Sequence, residues 1–126
     1  MGLFKRKPNP EKELASALAR RGVAGRATVV ELRATGATRD EAAREIEFTL
    51  DLALPDGTTV RTVHRQYMNR FTLHGLAPGE PARVMYDRDD PQTVMVRGHP
   101  RFRTDVVAGE IVIVEVQDLD APTSAG

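Results

Sequence analysis

The sequence predicts a mainly β protein: a small antiparallel β-barrel of the OB or SH3-like kind, with about six strands preceded by one short N-terminal α-helix. Two observations carry this. From Ala27 onward the chain breaks into runs rich in Val, Thr and Ile that alternate with period two and are punctuated by Gly, Pro and Asp. Before Ala27 lies a single segment with helix start and stop signals. The 126 residues suit one small domain. Its parts read as a disordered basic tail over 1–8, a helix over 9–22, the barrel over 23–118 and a flexible tail over 119–126.

In "NPEKELASALARRG", Asn9 is placed to cap and Pro10 suits the first helical position. Glu11 and Glu13 favour the positive end of the helix dipole, Arg20 and Arg21 the negative end, and Gly22 stops the helix. Leu14, Ala17 and Leu18 make only a narrow apolar stripe, so the helix leans on a larger body. "ATVVELRA" (27–34) is the first strand, and "TGATRDEAAR" is a polar connection with room for one helical turn. "EIEFTLDLAL" (45–54) alternates most cleanly: Ile46, Phe48, Leu50, Leu52 and Leu54 share one face, and Glu45, Glu47, Thr49 and Asp51 the other.

Turn chemistry sets the next register. A three-residue loop Pro55-Asp56-Gly57, closed by Gly57 in the left-handed region, pairs Leu54 with Thr58. Outward from there come Leu52 with Val60, Leu50 with Thr62 and Phe48 with His64 on the core face. The other face sets Asp51 against Arg61 and Glu47 against Arg65. A one-residue slip would put Leu52 against Arg61, so face, turn and charge select the same register. "FTLHGLAPGEPA" (71–82) is a loop around Pro78-Gly79, and "ARVMYD" (82–87) and "TVMVRG" (93–98) are strands. In "DVVAGEIVIVEVQ" the run Ile111 to Val114 suits a strand covered on both faces.

With 18 basic and 18 acidic side chains the net charge is zero, which removes any global attraction to nucleic acid or membranes. The ends differ. Residues 1–26 carry seven basic groups against two acidic ones, and from residue 104 on there are five acidic groups and no basic one. Leu3, Phe4, Lys5, Arg6 and Lys7 form a candidate tail for docking on a protein partner; without a lipid chain their grip on a membrane is weak. There is no cysteine, no apolar h-region after the basic start, and no run long enough for a spanning helix. A cytoplasmic, soluble protein is the expectation.

Three stretches, "RRGVAGRATVVELRATG" (20–36), "LPDGTTV" (54–60) and "LAPGEPARVMYDRDDPQTVMV" (76–96), together resemble a widespread bacterial domain of unknown function built on a small β-barrel and often joined to membrane segments. In that family Gly-x-x-x-x-Ala-x-Val opens the first strand, and a Pro-Gly loop precedes a strand ending Tyr-Asp. Arg88 stands where the pattern has Pro, and residues 99–126 lie outside the resemblance. It implies a fold and no catalytic residues.

The densest acidic stretch is Asp87, Asp89 and Asp90. Asp90-Pro91-Gln92-Thr93 fits a type I turn, with the Asp90 side chain bonding the following backbone. A calcium loop needs glycine at its sixth position, where Gln92 stands. His64, His74 and His99 lack the short spacing of metal ligands, both serines (Ser16 and Ser124) lie outside the predicted barrel, and no glycine-rich phosphate loop follows a strand. No enzyme, metal or cofactor is expected. The sequence thus favours a non-catalytic module that acts through protein contacts, with an unidentified partner or with itself. The alternative is a single-stranded oligonucleotide-binding barrel using Arg61, Arg65, Tyr67, Arg70 and Phe71, which mix cations with stacking rings in the acid-free stretch from Gly57 to Gly79.

Overall fold

The computed structural model describes residues 10–117, with side chains from Lys12 onward. The expected tails, including Leu3 to Lys7, and the expected Asn9 cap lie outside the described residues. Helix α1 (Pro10–Arg21) is followed by β1 (Gly22–Arg39), β2 (Ala43–Ala53) and β3 (Thr59–Met68). The one-turn helix α2 (Arg70–Leu73), β4 (Pro81–Asp87), β5 (Asp90–Gly98), β6 (Phe102–Val107) and β7 (Glu110–Glu115) follow within the described residues. The protein is mainly β and antiparallel, as expected. Among the described residues there are seven strands rather than about six, divided between a five-stranded sheet of order β3-β2-β1-β4-β5 and a separate two-stranded ribbon, β6-β7.

The first strand is much longer than its apolar run. Its first part, Gly22 to Thr28, pairs with β4, and from Arg26 onward it also pairs with β2, out to Arg39. What was expected to be a polar connection with a helical turn is therefore strand up to Arg39. Polarity there marks exposed edges rather than a loop, because Thr38 and Arg39 find ladder partners in Arg44 and Ala43. The Pro-Gly loop is fastened to this strand: Gly79 N donates to Val29 O and Val29 N to Glu80 O.

The β2–β3 register is as the sequence dictates, with Leu52 opposite Val60, Leu50 opposite Thr62 and Phe48 opposite His64. Leu54 N donates to Thr58 O and Gly57 N to Leu54 O, and Gly57 sits at φ 90°, which a side chain would oppose. Ile46, Phe48, Leu50 and Leu52 form the centre of one core with Val29, Val84, Tyr86, Val94 and Val96. Each large side chain so buried contributes about 1.5–3 kcal/mol. Helix α1 leans on the sheet through buried Leu18, with Leu14 and Ala17 half-covered, and Arg21 reaches the Asp87 carboxylate at 3.3 Å.

The two edge strands of the large sheet, β3 and β5, approach each other, yet no backbone ladder joins them among the described residues. Side-chain amides bridge them instead. Gln66 Nε2 donates to Val96 O at 2.8 Å, and Gln66 Oε1 accepts from Val96 N at 2.9 Å, both bonds buried. Lower on the same seam Gln92 Nε2 donates to Arg61 O at 3.3 Å.

The acidic hairpin turn lies earlier than Asp90-Pro91. Arg88 and Asp89 form the loop, Asp87 pairs with Asp90, and Pro91 lies within β5. Two carboxylates opposite each other are tolerated because protein donors meet both: Asp89 N donates to Asp87 Oδ1, and Gln92 N and the Thr93 hydroxyl donate to Asp90. Asp90 does bond the following backbone, but from the start of β5 rather than from a turn.

Candidate interaction surface

The residues singled out in the Arg61–Phe71 stretch fall into two groups. Arg61, Arg65 and Tyr67 are odd-numbered positions of β3 and share the outer face of the β1–β2–β3 sheet. Arg61 makes a two-pronged pair with Asp51, Nε to Oδ1 at 2.8 Å and Nη2 to Oδ2 at 3.0 Å. Glu47 is held between Arg65 Nε at 2.8 Å and Arg33 Nε at 3.1 Å. The Arg39 guanidinium lies 4.2 Å from the Tyr67 ring centroid. Arg70 and Phe71 lie beyond the strand on α2, where the Arg70 guanidinium covers the Phe71 ring at 4.9 Å. The structure thus does not gather the five into one groove. Both sheet arginines are engaged by neighbouring carboxylates, and both rings are covered by a guanidinium.

The same pairings bias protonation. Hydrogen bonding to Arg65 holds the Glu47 carboxyl below its ordinary value, with Arg33 adding to the effect and lost hydration opposing it. Hydrogen bonding to Arg61 does the same for Asp51, again against some lost hydration. In the β2–β3 turn, the Thr58 hydroxyl and then its backbone N–H lower Asp56.

Among the described residues no group of three His, Asp or Glu side chains gathers to hold a metal. His64 is half-buried opposite Phe48, and its Nε2 lies 2.9 Å from Gln66 Oε1, at the seam. His99 is buried. Its Nδ1 accepts from Arg101 N at 3.1 Å, so Nε2 carries the ring proton and donates to Glu80 Oε1 at 3.0 Å. Phe102 packs against both His99 and His74, 5.0 and 4.6 Å between centroids. Gly75 permits this approach: it sits at φ 85°, and a Cβ there would lie 2.7 Å from the Phe102 ring.

The largest departure from the sequence reading is the β6–β7 ribbon. The run Ile111 to Val114, read as covered on both faces, is not: Ile111 is 53% exposed and Ile113 36%, and across the ribbon Val106 is 67% and Val107 56% exposed. Val106 faces Ile111, and the connecting Ala108 and Gly109 both have positive φ, as in a type I′ turn. These are the residues the sequence reading missed as a surface. The available signal was the two-residue Ala-Gly loop between two Val/Ile runs, which marks a hairpin rather than one buried central strand. No helix among the described residues is long and apolar enough to cross a membrane. No protein-family model matches the chain, and no curated protein or solved structure shows significant similarity to it.

Proposed function

We propose that this chain is a non-catalytic β-barrel module that works through protein contacts, with the β6–β7 ribbon as its contact surface and a second copy of the chain as the partner. The observation that carries this is the exposed apolar ribbon. An isolated two-stranded hairpin is marginal in water, and one with β-branched side chains exposed on both faces invites pairing with another chain. The barrel reading is supported by the Gln66 bridge between the two edge strands and by the resemblance of residues 20–98 to a bacterial barrel family. The lack of cysteine accords with a cytoplasmic setting.

Symmetry favours a second copy. Val116 N donates to Arg101 O, which fixes the alternation of the ladder and points the backbone groups of Ile111, Ile113 and Glu115 outward from β7. Two identical antiparallel strands related by a twofold axis must set one residue opposite itself. Centred on Ile113, that pairing sets Ile113 against Ile113, Val112 against Val114, and Ile111 against Glu115. Neither Glu110 nor Glu115 then meets a like charge. The oligonucleotide alternative has less support, because its sheet arginines already meet carboxylates.

Light scattering coupled to gel filtration tests the proposal. The wild-type chain should run as a dimer that dissociates on dilution, and Ile111→Lys combined with Ile113→Lys should run as a monomer with unchanged circular dichroism. A wild-type monomer at every soluble concentration would overturn the self-pairing.

A further inference from the structure

The chain contains one Asp-Gly pair, Asp56-Gly57, at the tip of the β2–β3 hairpin, and both residues are exposed. Such a pair carries its own chemistry. The Gly57 nitrogen can attack the Asp56 side-chain carbon Cγ, because glycine has no side chain to obstruct the approach. A new C–N bond closes a five-membered succinimide ring, and the carboxyl hydroxyl leaves as water with the proton given up by the nitrogen. Water then reopens the ring at either carbonyl. One opening restores aspartate, and the other gives isoaspartate, in which the main chain runs through Cβ and Cγ. The water lost in the first step is regained in the second, so the net change is an isomerisation that needs no other reactant.

Three hydrogen bonds of the turn oppose ring closure. Gly57 N donates to Leu54 O at 3.0 Å, which closes a turn with Asp56 at its third position. Bringing that nitrogen round to face Cγ takes a rotation between the Asp56 Cα and its carbonyl carbon, and the rotation breaks the bond. Asp56 Oδ1 also accepts from the Thr58 backbone N–H at 2.9 Å and from the Thr58 hydroxyl at 2.6 Å. These two bonds tie the side chain to Thr58. They also favour the carboxylate, the hydroxyl more than the N–H, and so hold Asp56 below its ordinary value. Ring closure needs the neutral carboxyl, whose hydroxyl can leave.

We propose that Asp56-Gly57 is a modification site of this protein, a succinimide-forming pair held shut by the Thr58 hydroxyl and the Leu54–Gly57 hydrogen bond. Isoaspartate there adds one carbon to the main chain of the Pro55-Asp56-Gly57 loop. Leu54 N donates to Thr58 O across that loop, and Leu54 packs on the core, so the longer loop strains both contacts. The hairpin register would loosen from its tip.

Prolonged incubation of the full chain at neutral pH, followed by peptide mapping with fragmentation that distinguishes isoaspartate from aspartate, tests this. We expect isoaspartate at Asp56 to form about tenfold or more faster in the urea-unfolded chain than in the folded one, because all three bonds are lost. Thr58→Val keeps the β-branch and removes the hydroxyl. With unchanged circular dichroism, it should speed the reaction in the folded protein by about three- to tenfold, the contribution of one hydrogen bond. Thr58→Ser, which keeps the hydroxyl, should stay close to the wild type. The proposal is overturned by no isoaspartate at Asp56 in urea, by equal rates in the folded and unfolded wild type, by an unchanged rate in Thr58→Val, or by a Thr58→Ser rate as high as that of Thr58→Val.

Discussion

The β2–β3 and β6–β7 hairpins are built on the same plan of tight turn and antiparallel ladder, and they end in opposite situations. In β2–β3, one face is turned to the core, where Phe48, Leu50 and Leu52 lie fully buried beside Thr62 and Gln66, and the other carries the Asp51–Arg61 and Glu47–Arg65 pairs. In β6–β7, apolar residues occupy both faces, and four of them stand open to solvent. The difference is one of division of labour between faces. A strand whose alternation is strict can satisfy a core and water at once, whereas a strand that is apolar on both sides needs a second cover that the described residues do not provide.

The sharpest way to break the comparison is to make the same kind of truncation in both hairpins. Phe48→Ala removes a fully buried ring and should cost about 3–5 kcal/mol in urea unfolding. Ile111→Ala, measured on dilute monomer, should change stability by no more than about 0.5 kcal/mol, as an exposed position does. A large loss at Ile111 would mean that the ribbon packs within its own chain.

A smaller effect separates the outer faces. Glu47 and Asp51 have folded-state carboxyl pKa values below their unfolded ones, so the unfolded chain binds more protons in the acid range. Their contribution to stability is therefore complete above the unfolded carboxylate range, about pH 4, and is lost as pH falls through the folded-state values. Because these pairs lie on the outer face with their arginines exposed, the loss is small and salt should reduce it. Asp51→Asn should flatten the acid limb of Tm against pH.

The β2–β3 hairpin was legible from sequence because three independent constraints coincide there. Pro55-Asp56-Gly57 fixes the turn, alternation fixes the face, and opposite charges fix the register. The fate of Ile111 to Val114 was not legible, because a run of Val and Ile records only that it can be buried and not whether anything covers it. Residues 35–39 misread for the converse reason: Thr35, Thr38 and Arg39 are polar because their strand is exposed. The β4–β5 bulge at Arg97 was beyond sequence reading, since it depends on which strand pairs with which. The arginines that sequence reading did pick out, Arg61 and Arg65, were matched correctly to their carboxylates by that same register.

Gln66 gives the molecule a timing element. Elsewhere in the large sheet an amide proton is guarded by a row of cooperative neighbours, but the Val96 N–H is guarded by one side-chain oxygen that can swing away by a rotamer change. Hydrogen exchange at Val96 should therefore proceed by local opening, faster than at Leu50 in the middle of the ladder and with little dependence on urea. In Gln66→Leu the Val96 amide should lose its protection while Leu50 keeps its own. Equal exchange at the two positions in the wild type would show that the sheet opens only as a whole. If the two rates differ, the seam is where the protein breathes, and a single amide side chain sets the rate.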